Sequence, residues 1–180
     1  MSAPKQSSRF LALCFSLSVV GLIPSALGQS SQATSPPQSP QEWIRLGEAV
    51  HGGFGSHIAL GIRIGLDAMN RLGAKPRQIE AVVQEGHSAP CACVADGLMV
   101  ATAASPGQRT LQVNPKSHED HFMVSIELRH RVTQSSLVYV IPTSAMASLA
   151  QMNIGKSALE RFQVVMQTPA ETLFTVKEKP

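Results

Sequence analysis

The 180-residue chain is 43% hydrophobic, 15% charged and 4% aromatic, which predicts one globular domain with a real core. Its formal charge is +3, and removing Lys5 and Arg9 with a predicted signal peptide leaves 13 basic against 12 acidic side chains, or +1. A charge this close to neutral gives no electrostatic support for binding nucleic acid or an anionic membrane. The low aromatic content argues against stacking on bases or sugars.

Residues 1–28 have the three-part pattern of a cleavable signal peptide. A basic start precedes an apolar run from Phe10 to Pro24, and the small residues Ala26 and Gly28 precede a predicted cut before Gln29. An uncleaved membrane anchor is less favoured, because it needs about 20 apolar residues and lacks the small residues that precede a cleavage site. The sequence therefore predicts an exported protein, periplasmic or secreted, without a membrane span after cleavage.

Residues 29–41 contain only Ser, Gln, Pro, Thr and Ala. Such a segment cannot bury enough apolar surface to offset its ordering entropy. We therefore predict a disordered linker over 29–41 and a folded domain over 42–180.

Two helices are predicted at the start of the domain. Trp43, Leu46 and Val50 recur at helical spacing, and a glycine-rich loop follows them. Ser56 is predicted to cap the second helix, and Gly73 to end it. Gly47 weakens the first helix prediction.

The middle of the domain is rich in strand-forming residues. A strand is predicted over Ile79 to Glu85, and a helix from Cys93 to Ala104 that Gly97 weakens. Three further strands are predicted to form a meander, over Arg109 to Val113, His121 to Leu128 and Ser136 to Ile141. Two final helices are predicted over Met146 to Met152 and Ser157 to Met166. His130, between two arginines, is predicted to be an exposed strand end. The order of helices, strands and helices predicts an α+β fold in one domain.

Three segments carry a resemblance to a known family. In HGGFGSHIALGIRIGLDAM, His51 to Met69, a His-Gly loop leads into a helix that contains Gly61. CACVADGLMVATAASPGQRTL, Cys91 to Leu111, matches a second motif at Cys93, Asp96, Gly97, Leu98, Thr102, Gly107 and Leu111. With PAETLF at residues 169–174, their order and spacing resemble the formylmethanofuran dehydrogenase E-subunit family.

That resemblance implies helices packed on an antiparallel sheet and a metal site built from His and Cys of the two motifs. The candidate ligands are His51, Cys93 and Asp96, and the implied cofactor is a zinc-like divalent ion. Two family groups are absent, because Gly53 replaces the second loop histidine and Ala104 replaces the cysteine of a Thr-Gly-Cys-Thr segment.

The residues themselves support a small ion site. Asp96 follows Cys93 by three positions, which places both on one helix face. Three ligands with an open position suit a catalytic or exchangeable ion. Further candidate ligands are His57, His87 and Cys91. In the alternative interpretation, His51 only bonds the glycine loop, and Asp96 only caps the helix or forms a salt bridge.

The two cysteines that remain after signal cleavage, Cys91 and Cys93, are candidates for redox chemistry. An exported compartment is often oxidising, and a disulfide across one residue would close a small, labile ring. Two reduced cysteines are the alternative. The loop glycines Gly52, Gly53 and Gly55 could bind an anion at the helix N-terminus, or could allow close packing on the Cys93 segment.

These observations predict an exported metal-binding or small-ligand-binding domain without the parent complex's activity. The alternative is a metal-assisted or thiol-based redox enzyme that uses the same His/Cys pocket. Catalytic residues are not assigned, and a homo-oligomer is left open.

Overall fold

The computed structural model of the protein describes residues 39–119 and 121–179. The predicted signal peptide and residues 29–38 of the predicted linker lie outside this part. The helices are α1 (Pro40–His51), α2 (Ser56–Leu72), α3 (Cys93–Thr102), α4 (Ala145–Gln151) and α5 (Ala158–Gln167), with a short 3-10 turn at Ala170–Thr172. The strands are β1 (Ile79–Glu85), β2 (Leu111–Asn114), β3 (Val124–His130), β4 (Ser136–Ile141) and β5 (Thr175–Lys179).

The strands form one five-stranded sheet in the order β2-β1-β3-β4-β5. β1 and β2 are parallel, and the other three neighbouring pairs are antiparallel. The α+β fold in one domain is confirmed, with a sheet that is mostly antiparallel. The predicted meander of the three later strands is wrong, because β1 lies between β2 and β3. The connection from β1 through α3 to β2 is a β-α-β unit, which makes that pair parallel.

One face of the sheet carries the core. Along β1, Ile79, Ala81 and Val83 are almost completely buried, whereas Val82 between them is 37% exposed. The buried side chains pack with those of the helices in a single apolar cluster. The opposite face is open to solvent, as is common for antiparallel sheets.

Local signals explain the first two helices. α1 begins at Pro40, two residues before the predicted domain start, because Ser39 and Glu42 form a reciprocal capping box. α2 ends at Gly73 in the left-handed conformation, as predicted. The predicted Ser56 cap is wrong. Gly55 is the N-cap residue, and the Ser56 hydroxyl donates instead to the Leu149 carbonyl at 2.8 Å.

The backbones of α2 and α3 are in direct contact. A Cβ added at Gly61 would overlap the carbonyl oxygen of Val94 and lie 2.9 Å from Gly97 Cα. A Cβ added at Gly97 would in turn overlap the carbonyl oxygen of Ile58. Glycine is therefore required on both helices because their backbones touch. This contact sets the position of the first turn of α3.

Two features of the β-sheet differ from the predictions. β5 was not predicted, since TVKEK is polar and becomes a strand only by pairing with β4. His130 was predicted to be exposed but is only 5% exposed. Its Nδ1 accepts hydrogen bonds from the backbone N–H groups of Val132 and Thr133, both at 3.1 Å, and so closes the turn after β3.

No helix in residues 39–119 and 121–179 is long and apolar enough to cross a membrane.

Candidate functional site

His51 and Asp96, two of the three predicted ligands, form a direct pair. His51 is the last residue of α1, and Asp96 lies in the first turn of α3. His51 Nδ1 and Asp96 Oδ2 are 2.7 Å apart, and each side chain is 33% exposed. The two motifs of the sequence therefore meet at one solvent-accessible point.

This pair orients the imidazole. A carboxylate can only accept a hydrogen bond, so His51 Nδ1–H is the donor. The lone pair of a neutral ring is then on Nε2, which makes no hydrogen bond to any described residue. Histidines that bind metals or move protons are commonly held this way by a carboxylate. The pair can thus act as a ligand or a base through Nε2.

Asp96 also lies where a negative charge is favourable. The first turn of a helix carries the positive end of the helix dipole, and Ala92, the N-cap residue of α3, makes no side-chain hydrogen bond. Asp96 therefore has two interactions that keep it in place: the dipole of α3 and the imidazole of His51. This fits a positioning role toward His51.

Cys91 and Cys93 form a disulfide with a Cα–Cα distance of 5.3 Å. Cys93 is the first residue of α3, and both cysteines are half-buried. The oxidised pair, rather than the reduced alternative, is the state in this structure. Asp96 follows on the same face of α3, where residues three apart have Cβ atoms about 5–6 Å apart.

The donors available for a metal ion depend on this disulfide. No group of three or more His, Cys, Asp or Glu side chains that could hold a metal ion occurs within residues 39–119 and 121–179. With the disulfide formed, Cys93 Sγ is not a thiolate. Asp96 Oδ2 already accepts a hydrogen bond from His51 Nδ1. The oxidised form therefore does not fit a three-ligand ion, and metal binding stays a prediction.

The loop glycines are not needed to make room for packing on the Cys93 segment. Added Cβ atoms at Gly52 and Gly53 would have nothing within 4 Å, and one at Gly55 would meet only Asn153 Oδ1 at 3.6 Å. The close-packing interpretation is therefore wrong for these glycines. Gly52 is needed for another reason, since its φ of 84° ends α1 in the left-handed conformation.

Anion binding by this loop stays a prediction. The backbone N–H of Ser56 at the start of α2 already donates to Asn153 Oδ1 at 2.9 Å. An anion at this helix end would have to displace the amide of Asn153 or use neighbouring N–H groups.

The other histidine candidates lie in different environments. His57 Nε2 is buried without a hydrogen-bond partner among the described residues, and burial lowers the pKa of this imidazole. His87 is exposed, and its backbone N–H donates to the Glu119 carbonyl. Neither side chain has a hydrogen bond to the His51–Asp96 pair.

A groove of about 690 Å³ lies elsewhere and was not indicated by the sequence. It is formed where the end of α2, the turn after β3 and the end of β5 meet. Its lining includes Arg71, Gln134, Ser136, Leu137, Glu178 and Lys179. None of the predicted site residues lines it.

The segments that form the His51–Asp96 pair also carry the family resemblance. A family model described as FmdE, molybdenum formylmethanofuran dehydrogenase operon, matches residues 50–175. The chain belongs to the FmdE family. This match covers His51, Cys91, Cys93 and Asp96. No curated protein is similar enough to the chain to count as a match.

Within the FmdE-family domain, the two departures from the family pattern have structural consequences. Gly53 has no side chain to offer a ligand. Ala104 is fully buried in the core, where a cysteine stands in the family pattern. The donors left near the start of α3 are those of His51, Asp96 and the two cysteines.

Proposed function

We propose that this FmdE-family chain is an exported binding domain whose site is the His51–Asp96 pair together with Cys93. The observation that carries the proposal is the 2.7 Å contact between His51 Nδ1 and Asp96 Oδ2, which directs Nε2 away from the carboxylate. The ligand is a zinc-like divalent metal ion, which binds when the Cys91–Cys93 disulfide is reduced.

Reduction would convert the donor set into one that suits such an ion. It releases Cys93 as a thiol, the precursor of a thiolate ligand. His51 would then supply Nε2, Cys93 would supply Sγ, and Asp96 would supply its second carboxylate oxygen or only hold the imidazole. Three protein ligands leave an open position, at which the ion provides a Lewis acid.

The proposal includes loss of the parent complex's activity. The groups that the family places at residues 53 and 104 are a histidine and a cysteine, and here they are a glycine and a buried alanine. A site reduced in this way favours binding over the parent chemistry.

Ion binding should depend on the redox state of the chain. Chelator-stripped mature protein, residues 29–180, is titrated with Zn²⁺ by calorimetry with and without a phosphine reductant. We expect one ion per chain with reductant and none without it, because the sulfur of Cys93 can bind the ion as a thiolate but not while it is part of the disulfide. His51→Ala and Cys93→Ser should abolish binding, and Asp96→Ala should weaken it about 10-fold to 100-fold.

Cys91→Ser is the matched control for this titration. It removes the disulfide but keeps the Cys93 thiol, so this variant should bind Zn²⁺ without reductant. Reduced wild-type protein that takes up no ion, or equal uptake by His51→Ala, would reject the proposed site.

Export should be visible as a defined mature N-terminus. When the full chain is produced in a host with a general secretory pathway, the protein recovered from the periplasm or medium should begin at Gln29, as read by mass spectrometry. Replacing the small residue Ala26 with lysine should prevent cleavage, because signal peptidases require small side chains before the cut. Recovery of uncleaved wild-type chain from the cell interior would refute export.

A further inference from the structure

The Cys91–Cys93 disulfide has an unusual position in the chain. It encloses a single residue, Ala92, and joins Cys91, in the loop before α3, to Cys93, the first residue of α3. Both cysteines are half-buried, and the preceding residue, Pro90, is exposed. Part of each cysteine is therefore accessible to solvent, and thiol–disulfide exchange requires access for the attacking thiol.

The start of α3 favours the reduced form of this pair. Ala92 is the N-cap residue and makes no side-chain hydrogen bond, so no side chain caps the first turn. Cys93 is the first residue of the helix, where the dipole stabilises a negative charge. Thiolates at helix N-termini are stabilised in this way. Asp96, whose charge would oppose a thiolate in the same turn, is paired with His51.

The two sulfur atoms are not equivalent leaving groups. If an external thiolate attacks Cys91 Sγ, the departing sulfur is that of Cys93, at the positive end of α3. If it attacks Cys93 Sγ, the departing sulfur is that of Cys91, in the loop. Exchange is faster when the leaving thiolate is better stabilised. The geometry therefore favours attack at Cys91.

We infer that this chain is a disulfide donor to dithiols, with Cys91 as the attacked sulfur and Cys93 as the leaving group. In the first step, a substrate thiolate forms a mixed disulfide with Cys91, and the Cys91–Cys93 bond breaks. The second substrate thiol then displaces Cys91 and closes the substrate disulfide. Two electrons pass from the dithiol to the protein, and its two protons are taken up by the two cysteines or released to solvent.

The substrate class is a pair of thiols that can close a ring, such as two cysteines of a reduced exported polypeptide. A monothiol would leave the first mixed disulfide in place or need a second molecule to resolve it. This inference does not need the metal ion, so it stands or fails separately from the proposed function.

A single-turnover reaction tests the inference. Oxidised, metal-free mature protein is mixed with an excess of a reduced two-cysteine peptide, quenched with acid and analysed by mass spectrometry. We expect one peptide disulfide and two protein thiols per chain, with the transient mixed disulfide mapped to Cys91. A Cys91–Cys93 bond that survives, or peptide oxidation no faster than with equimolar glutathione disulfide, would overturn the inference.

A peptide of residues 88–96 isolates the contribution of the helix. It keeps the same ring but lacks the folded α3, so equilibration with glutathione compares the two disulfides directly. We expect the equilibrium constant for reduction to be about twofold to fivefold larger in the folded chain, since a helix end contributes roughly that factor. An equal or smaller constant would overturn the role of α3. A mixed disulfide mapped to Cys93 would overturn the assignment of the leaving group.

Discussion

Replacing Gly97 with alanine should destabilise the domain by about 3 kcal/mol or more, at the upper end for overpacked sites. The added methyl group would overlap the carbonyl oxygen of Ile58 and lie 2.8 Å from Gly61 Cα. These contacts are with backbone, so no rotamer change can relieve them. The gain in helix propensity, about 1 kcal/mol for alanine over glycine, is too small to offset the overlap. Gly61→Ala should have a similar effect.

Urea unfolding followed by circular dichroism measures this effect. Gly107→Ala is the control, because Gly107 is exposed and an added Cβ there would have nothing within 4 Å. That variant should unfold within about 1 kcal/mol of wild type. If Gly97→Ala unfolded at the same urea concentration as wild type, the close contact of α2 with α3 would be incorrect. Because α3 carries Cys93 and Asp96, a soluble Gly97→Ala protein should also lose the His51–Asp96 pair.

Replacing Asp67 with alanine should cost about 2–3 kcal/mol. Asp67 Oδ2 accepts from the Tyr139 hydroxyl and from Arg71 Nε, each at 2.7 Å. Tyr139 is fully buried, and its burial together with the Asp67 carboxylate raises the pKa of this phenol. Without Asp67, the buried hydroxyl would keep its desolvation cost and lose its acceptor. The half-exposed Arg71 would lose little, because exposed ion pairs contribute little.

A double-mutant cycle with Tyr139→Phe separates these terms. The double variant Asp67→Ala/Tyr139→Phe should be about 1 kcal/mol more stable than Asp67→Ala alone, because the unsatisfied hydroxyl is gone. Thermal or urea unfolding of the four proteins measures the coupling. Strictly additive losses would show that the hydroxyl is not the origin of the cost.

The sequence predicted the elements whose signals are local. β1 and β4 have the predicted bounds, because their strand-forming residues are flanked by turn residues. α2 ends at Gly73 as predicted, since a left-handed residue after a helix favours glycine. Partners along the sheet were not predictable in this way. β2 pairs with β1 and not with β3. The reason is that α3 connects β1 to β2 and brings β2 back parallel to β1.

The candidate site was predictable in part. The resemblance brought the segments of His51 and Asp96 into one site, and the structure places these two side chains in contact. A salt bridge of Asp96 was one of the alternatives, but its partner was not predicted; the structure shows that the partner is His51 Nδ1. The disulfide likewise removes Cys93 from the donors while it is formed. Sequence spacing alone does not indicate that Asp96 will hydrogen-bond to His51, or that Cys93 will form a disulfide with Cys91.

Gly97 illustrates why tertiary structure was needed. In the sequence it only weakens a helix, because glycine has a low helix propensity. In the fold it allows the backbones of α2 and α3 to touch, and that contact sets where α3 begins.

The sequence by itself determined the exported-protein prediction, the α+β class, the family resemblance and the residues available for chemistry. These depend on composition, local periodicity and short motifs, all of which are properties of neighbouring residues. Only the tertiary structure decided the order of the strands, the burial of His130 and the pairing of His51 with Asp96. The strand order and the His51–Asp96 pair depend on contacts between residues far apart in the chain, and the burial of His130 depends on where β3 lies in the sheet.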